Sequence, residues 1–486
     1  MSTKAFSTKP EQSSLAKLGQ RIALAGLIIY VVFAPHSVAA SASGAVIAGF
    51  GWVIRTIATG SLGLRRSKFD LIIILALLWT VASSLLSAEP RISIAKVHAS
   101  WSVLLFYVAR AVLAKRSTLV LVSLLILSGA AGALYSAFDL LRGRGVVVES
   151  LASNSPFYQV GIQPGDTIWR VGRVRVYSTS DLDQALRQVP ANTTVGIISN
   201  GEQVERAIVI SESAPSGIVG GERNHRFRAS GWTRHYETFA ELMQMIAQLA
   251  LGLALAHLRN HGANKYFKVA IGAAVVLTTG LVFTAMRTVI VAFVIAASVI
   301  AFRSLRGKVK VAFTFALFFV IAFGAVVVWQ TRDRNALLLG DPSSSLRMQV
   351  ARAGLWRILI HPVFGHGMDA MKLHWSEWGF PGKDMLHLHS TPLQLAFDRG
   401  LPMLALWLWL MFAFWSGLAR AERSSADLSD TNSYGVLLGT LGALTGFLVS
   451  SLVNYNYGDA EVAMLFWFLM GIAVSHGFAS KAKLTS

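Results

Sequence analysis

Long apolar runs separated by short polar or basic stretches dominate this chain. A helix that crosses the hydrocarbon core of a bilayer needs about 20 apolar residues, and sometimes about 17. Runs of this length predict twelve membrane spans, near residues 20–36, 41–58, 69–87, 93–113, 117–138, 236–257, 266–284, 286–303, 309–329, 394–418, 435–455 and 460–479. The predicted fold class is therefore mainly α, a polytopic α-helical membrane protein of about twelve transmembrane helices.

The segment 139–235 interrupts this pattern with short stretches of strand-like alternation. Strands are predicted at 145–151, 167–171, 174–176, 195–199 and 204–210. Residues 180–188 form an amphipathic helix, with Leu182, Ala185 and Leu186 on one face. Residues 145–210 are therefore predicted to form a small α+β domain between two spans.

Composition agrees with a membrane protein and excludes several other classes. Hydrophobic residues make up 54% of the chain and charged residues only 14%, whereas a soluble domain carries about 25% charged residues. The mean hydropathy of +0.54 excludes a disordered chain. Cysteine is absent, which excludes disulfides, a thiolate nucleophile and cysteine-ligated metals.

Basic residues indicate which side of the membrane each loop occupies. The chain holds 44 Lys and Arg against 25 Asp and Glu, a net charge of +19. In short loops these residues favour the cytoplasmic side, and they collect at 4–21, 55–68, 115–116, 259–268, 303–310, 420–423 and 481–483. Both termini are therefore predicted in the cytoplasm, the long segments 139–235 and 330–393 on the opposite side, and no nucleic-acid partner is expected.

These assignments divide the chain into five parts. The predicted divisions are transmembrane helices 1–5 in residues 1–138, an external segment with the α+β domain in 139–235, transmembrane helices 6–9 in 236–329, an external catalytic loop in 330–393, and transmembrane helices 10–12 in 394–486.

Residues 330–393 concentrate the side chains suited to chemistry, with several histidines and arginines and few acids. Residues 346–360 are amphipathic, and residues 361–367 (HPVFGHG) form a loop because Pro and two glycines stop a helix. His387 and His389 stand two residues apart, and no HExxH motif or nearby carboxylate cluster is present. The pattern therefore predicts no metal site.

The external α+β domain resembles the PDZ domains of bacterial envelope proteins. The likeness rests on the run GVVVESLASNSPFYQVGIQPGDTIWRVGRVRV and, within it, the spacing from Ser155 to Asp166. PDZ domains bind extended peptides by strand addition. The resemblance leaves two alternatives open, a docking module without peptide capture and a domain that binds an envelope protein partner.

The rest of the chain resembles the O-antigen ligase and O-antigen polymerase family. The likeness rests on RMQVARAGLWRILIHPVFGHG followed by HLHSTPLQLAFDRGLP, in which His389, Ser390 and Gly400 match the family's His-centred motif. Thr284–Arg287 and Gly231–Leu242 match two further landmarks. The resemblance implies a GT-C-like fold in the bacterial inner membrane. It also implies transfer of a glycan from a polyprenyl pyrophosphate donor to a glycan or lipid acceptor, without a cofactor.

The resemblance and the chemistry together nominate the site residues. A histidine suits a general base near neutral pH, and the resemblance gives this role to His389. Arginine binds phosphate with a bidentate fork, so Arg287 and Arg347 are expected to hold the pyrophosphate. Further substrate-binding candidates are His387, Arg352 and Arg234.

Two alternatives stay open. A ligase transfers a finished glycan, whereas a polymerase of the same family joins repeat units, and both share these motifs. A transporter of lipid-linked glycans is the non-enzyme alternative. A transporter is expected to carry charges at mid-membrane and paired repeats, but the ionisable residues of this chain cluster at the ends of the spans.

Overall fold

A computed structural model describes residues 14–153, 155–199, 202–209, 217–225, 227–233, 235–313, 315, 342–382, 387–425 and 430–477. Backbone contacts divide the chain into two units. The larger one, here called the helical unit, comprises residues 1–129, 241–278 and 287–486. The smaller one, the sheet unit, comprises residues 130–240 and 279–286.

Helices account for most of the described chain. The first six are α1 (Ser14–Phe33), α2 (Val38–Thr59), α3 (Lys68–Leu86), α4 (Pro90–Lys96), α5 (Leu104–Val112) and α6 (Lys115–Arg142), with a 3-10 helix at Val97–Val103. Two short helices, α7 (Pro156–Gln159) and α8 (Thr179–Gln188), lie among the strands. The remaining helices are α9 (Tyr236–His261), α10 (Lys265–Phe283), α11 (Arg287–Ser304), α12 (Pro342–Ile360), α13 (Ala370–His374), α14 (Thr391–Ser425), α15 (Thr431–Ser451) and α16 (Ala460–Gly477), with a 3-10 helix at Asn456–Gly458.

Ten stretches in the described residues are long and apolar enough to cross a membrane. They correspond to ten of the twelve predicted spans, with α4 to α5 counted as one stretch. The predicted span 309–329 falls largely outside the described residues. The last predicted span appears as a shorter apolar helix, Ala460–Ser475. The fold predicted from the sequence, a polytopic membrane protein with a small α+β insert, is therefore confirmed.

The sheet unit contains an antiparallel sheet of six strands. They are β1 (Val146–Leu151), β2 (Thr167–Val171), β3 (Val174–Arg175), β4 (Asn192–Ser199), β5 (Glu202–Val209) and β6 (Ile218–Gly220). Their order is β5-β4-β2-β1-β6, and β3 pairs with β2. Alternate strand residues such as Val148, Ile168 and Ile197 form one core with Leu182 and Leu186 of α8, because side chains on a strand alternate between faces.

The sheet is larger than the domain predicted from the sequence. Strand β6 lies beyond residue 210 and pairs antiparallel with β1, with Leu151 opposite Ile218. Arg144 and Asn224 form a further antiparallel bridge. The side chain of Arg144 also forms a buried ion pair with Asp139 at the end of α6. The strand pairing therefore begins at Arg144, next to the end of α6, and extends to Asn224.

Candidate active site

Helix α14 is kinked at Gly400, where the backbone adopts φ 79°. A Cβ at this position would lie 1.8 Å from the carbonyl oxygen of Val363. The kink leaves carbonyl groups of the helix free to accept hydrogen bonds from the loop 361–369. The His366 N–H donates to the Phe397 carbonyl oxygen at 2.8 Å. Gly400 thus allows the loop after α12 to lie directly on the first part of α14.

His389 precedes α14 in a strained conformation. Its φ of +51° is in the left-handed region, which non-glycine residues adopt uncommonly, although Asn, Asp and His do so more often than others. Its Nε2 atom is buried and has no hydrogen-bond partner among the described residues. Strain and an unsatisfied buried nitrogen each cost free energy, and both features are concentrated at functional sites.

Basic groups surround His389. The rings of His387 and His389 lie 4.3 Å apart between centroids. Burial and the positive charges of His387 and Arg347 lower the pKa of His389 to about 3. The structure therefore brings these three predicted residues together. The low pKa keeps His389 a neutral imidazole at neutral pH.

Helix α12 packs against Leu388, the residue between His387 and His389. A Cβ on Gly354 would lie 2.5 Å from Leu388 Cδ2, and Leu388 is buried. The Leu388 N–H donates to Gln394 Oε1 at 2.7 Å. The side chain of Gln394, one turn into α14, therefore fixes the backbone between His387 and His389.

A buried polar network holds the beginning of α14. The Thr391 N–H donates to the Asn454 carbonyl oxygen at 3.1 Å. The Asn454 amide donates to Thr288 Oγ1 at 3.2 Å and to Glu241 Oε1 at 3.4 Å. Ser450 Oγ donates to the other Glu241 oxygen at 2.9 Å. The network therefore ties α9, α11, α14 and α15 together beside the predicted site.

Arg287 is connected to this network through the neighbouring residue Thr288. It is the first residue of α11 and is exposed. Its neighbour Thr288 accepts the hydrogen bond from Asn454, whose carbonyl oxygen is bound by Thr391, two residues after His389. Arg287 thus lies at the same end of the helical unit as His389.

The further substrate-binding candidates, Arg352, Arg234 and His387, differ in how closely the structure associates them with His389. Arg352 is exposed on α12 and lines a shallow groove with Trp356 and Trp378. Arg234 lies outside the described residues. The ring centroid of His387, by contrast, lies 4.3 Å from that of His389 and 5.7 Å from that of Tyr455.

Several residues near the site were missed by the sequence analysis. Glu241 lies within the Gly231–Leu242 landmark but was not singled out there, and Asn454 and Tyr455 belong to no motif. Their only signal was the presence of polar or ionisable side chains at the ends of apolar runs, which favours a functional role. Within the described residues, no group of three His, Asp or Glu side chains is placed to hold a metal ion.

Ten candidate spans define a polytopic membrane protein, and the candidate site lies at the beginning of the kinked helix α14. A family model described as O-antigen ligase matches residues 272–408. The family predicted from the sequence motifs is therefore supported for this part of the chain. The match includes Arg287, Arg347, His389 and Gly400 but not the β-strands. A search of curated proteins found no match.

The family supports a membrane protein that transfers glycans, with a lipid-linked glycan as the donor. It also suggests an enzyme of the glycosyltransferase type. The resemblance of residues 145–210 to PDZ domains stays a prediction.

Proposed function

We propose that this protein transfers a glycan from polyprenyl pyrophosphate to an acceptor hydroxyl at the periplasmic face of the bacterial inner membrane. The observation that carries the proposal is the arrangement of His389. It has a strained backbone and a buried Nε2 atom without a partner among the described residues, and the charge of Arg347 acts on it. His389 and Arg347 both lie within residues 272–408, which match the O-antigen ligase family model.

In the proposed reaction, the acceptor oxygen bonds to the anomeric carbon of the donor glycan. The bond between that carbon and the pyrophosphate oxygen breaks, and the electron pair leaves with polyprenyl pyrophosphate. The proton of the acceptor hydroxyl passes to His389 Nε2. Arg287 and Arg347 stabilise the charge that develops on the leaving group, because guanidinium groups bind phosphate oxygens in a bidentate manner.

The low pKa of His389 makes it a weak base in the protein alone. A pyrophosphate bound by Arg347 would bring negative charge close to the imidazole, and an opposite charge favours the protonated form. Donor binding would therefore raise the basicity of His389 at the moment when a proton must be accepted. The same arginine would then serve both the leaving group and the base.

Transfer in vitro tests the proposal directly. Purified protein in lipid vesicles is mixed with a polyprenyl-pyrophosphate-linked glycan and a hydroxyl acceptor, with chelator present. We expect glycan on the acceptor and release of polyprenyl pyrophosphate in equal amounts. Movement of the intact donor between leaflets, with no transfer, would instead indicate the transporter alternative.

Ligase and polymerase activities differ in what accumulates in a deletion strain. Loss of long chains from the acceptor, together with accumulation of lipid-linked polymer, identifies a ligase. Accumulation of single repeat units identifies a polymerase. Gel analysis of envelope glycans separates the two outcomes.

The sheet unit is proposed to act as a docking module rather than in transfer, since none of the proposed catalytic residues lies in it. A useful deletion must remove β6 together with β1, because the two are paired. Replacing residues 145–223 with a short linker should leave transfer in vitro measurable. Complete loss of transfer by a protein that still inserts and folds would place the sheet unit in catalysis.

A further inference from the structure

Strand β6 covers what would otherwise be an open edge of the sheet. Strand β1 pairs with β2 on one side and with β6 on the other, so β1 would be an edge strand if β6 were removed. Edge strands present backbone N–H and C=O groups that another extended segment can bind. In this protein the segment that binds them comes from beyond β5 in the same chain.

Residues 217–224 run antiparallel to β1 along its whole length. At one end, the Ala152 N–H donates to the Gly217 carbonyl oxygen at 2.8 Å. At the other end, Arg144 and Asn224 exchange two backbone hydrogen bonds of 2.8 and 3.0 Å. A peptide bound by strand addition makes main-chain hydrogen bonds of the same kind.

Helix α8 forms the second wall of a groove in which β6 lies. A Cβ on Gly220 would lie 2.3 Å from Val146 Cγ1 on β1 and 3.0 Å from Cγ2 of Thr179, the first residue of α8. Val146 belongs to the buried core of the sheet unit. The groove is therefore so narrow at this position that only glycine fits.

Neighbouring side chains of β6 have different environments. Ile218 is partly buried against the core of the sheet unit, whereas 60% of Val219 is exposed. Successive side chains of a strand point to opposite faces. The groove thus holds an aliphatic side chain at position 218 and a glycine two positions later. In strand addition, pockets for alternate side chains of this kind provide specificity.

The segment has little tendency to form a strand by itself. Three of the five residues 217–221 are glycine, which is depleted in strands and weakens them. Gly217 has φ +61°, in the left-handed region, and the register with β1 is irregular between Val148 and Ser150. The groove, rather than local sequence preference, therefore holds β6 in an extended conformation.

We propose that the groove between β1 and α8 is a peptide-binding site and that residues 217–224 are its internal ligand. The attached segment competes with any partner peptide, so the site is closed in the intact protein. Once the segment leaves, the site takes an extended peptide with an aliphatic residue and a glycine two positions later. The proposal rests on the docking role of the sheet unit and is independent of glycan transfer.

Attachment to the same chain gives the internal segment an advantage over a free peptide. A ligand joined by a short flexible linker has an effective concentration of about 1 mM. If the open groove binds a free peptide with a Kd of about 10–100 µM, this competition weakens the apparent affinity about ten- to hundredfold. The difference between closed and open grooves is therefore measurable.

A synthetic fluorescent peptide with the sequence of residues 217–224 (GIVGGERN) is the probe. Its binding to purified full-length protein is followed by fluorescence anisotropy, and the melting temperature reports folding. Gly220→Val should expel β6 by overlap with Val146, and Ile218→Asn should expel it by removing the aliphatic side chain. The control variant is Val219→Thr, at the exposed position between them. A peptide that itself carries Gly220→Val is the control probe.

We expect Gly220→Val and Ile218→Asn to bind the probe about ten- to hundredfold more tightly than the wild type and Val219→Thr do. The control probe should bind at least about tenfold more weakly. If Gly220→Val does not fold, Ile218→Asn decides. Equal binding by the wild type and the folded variants, or no binding by either, would overturn the proposal. Because no glycan is present, that failure would leave the transfer proposal standing, and failed transfer would leave the groove standing.

Discussion

The Cα of Gly400 faces the carbonyl oxygen of Val363 so closely that a side chain on the glycine would overlap the loop backbone. A Cβ there would lie 1.8 Å from that oxygen, and the Leu401 N–H donates to the neighbouring Pro362 carbonyl oxygen at 2.7 Å. The contact joins the kink of α14 to the loop after α12. The kink leaves residues 401–425, about 37 Å of helix, to cross the membrane.

Replacing Gly400 with Ala should therefore displace the loop 361–369 and reduce transfer strongly. The positive φ alone costs roughly 1–2 kcal/mol for a residue with a Cβ, and the overlap with Val363 adds to it. The control is Gly262→Ala, because Gly262 also has positive φ (+67°) but has no atom within 4 Å of its would-be Cβ. Melting temperature and transfer rate are measured for both variants. Equal behaviour of the two would show that the loop contact contributes nothing.

His389→Ala should abolish transfer without unfolding the protein, since the substitution removes the proton acceptor and relieves an unsatisfied buried nitrogen. Rates are measured in vitro, and the melting temperature reports folding. A near-normal rate for His389→Ala would defeat the role of this residue as the base.

The pH dependence of the wild type provides a separate test. A pKa of about 3 for His389 predicts that kcat/KM, which reports the free enzyme, does not fall with an apparent pKa near 6.5. The donor is a pyrophosphate diester that does not titrate near neutrality. We expect kcat, which reports the bound complex, to have the higher apparent pKa, because the pyrophosphate partly cancels the charge of Arg347. Identical pH profiles for kcat and kcat/KM would contradict this coupling.

The same pKa has a consequence for stability. The folded protein binds fewer protons at His389 than the unfolded chain does between pH 6.5 and about 3. The stability linked to this residue is therefore present above pH 6.5 and falls as the pH is lowered through that window. The His389→Ala variant should lose this component, with a slope of at most about 1.4 kcal/mol per pH unit. Denaturation at several pH values compares the two proteins.

Arg347→Lys and Arg287→Lys should each lower the transfer rate about a hundred- to thousandfold. Lysine keeps the positive charge but replaces a planar fork with a single-point donor, so a bidentate contact with pyrophosphate is lost. Arg420→Lys, far along α14, serves as the control and should retain the wild-type rate. If a divalent ion restored activity that a chelator had removed, a metal rather than the arginines would hold the pyrophosphate.

Asn454→Asp should reduce both stability and transfer. Its amide donates to Glu241 and Thr288, and an aspartate of the same shape would place a second carboxylate beside Glu241 in a buried network. A buried hydrogen-bonding group left without a partner lowers the free energy of unfolding by about 1–3 kcal/mol, and a charged group lowers it by more. Asn432→Asp is the control, because the Asn432 side-chain oxygen contacts His257 Nε2 at 3.1 Å and a carboxylate can make the same contact. Similar losses in both variants would argue against a special role of the Asn454 network.

Reporter fusions test the proposed sidedness. Gly172 lies in a turn of the sheet unit, and Gly262 lies in the turn between α9 and α10. The distribution of Lys and Arg predicts that Gly172 is periplasmic and Gly262 is cytoplasmic. A reporter active only in the periplasm should respond at the first position alone. The same response at both positions would refute the topology.

The sequence by itself determined the local features of this protein. Apolar runs of sufficient length predicted ten spans that the structure shows, since a helix in lipid satisfies its own backbone hydrogen bonds and needs only length and hydrophobicity. Alternation predicted strands β1 to β5 because it is visible within a few residues. The motif around His389 predicted the O-antigen ligase family, which the match to residues 272–408 supports.

Only the tertiary structure decided which distant residues meet. Strand β6 has three residues, too few for a pattern, and it exists because β1 offers an edge about 70 positions away. Gly400 was part of a sequence motif, but the structure shows why the residue must be glycine: a Cβ there would overlap the carbonyl oxygen of Val363. Arg399 was not selected from the sequence, and only the folded chain shows that its side chain is buried. Contacts of this kind depend on how separate helices and loops pack, and no local pattern encodes that packing.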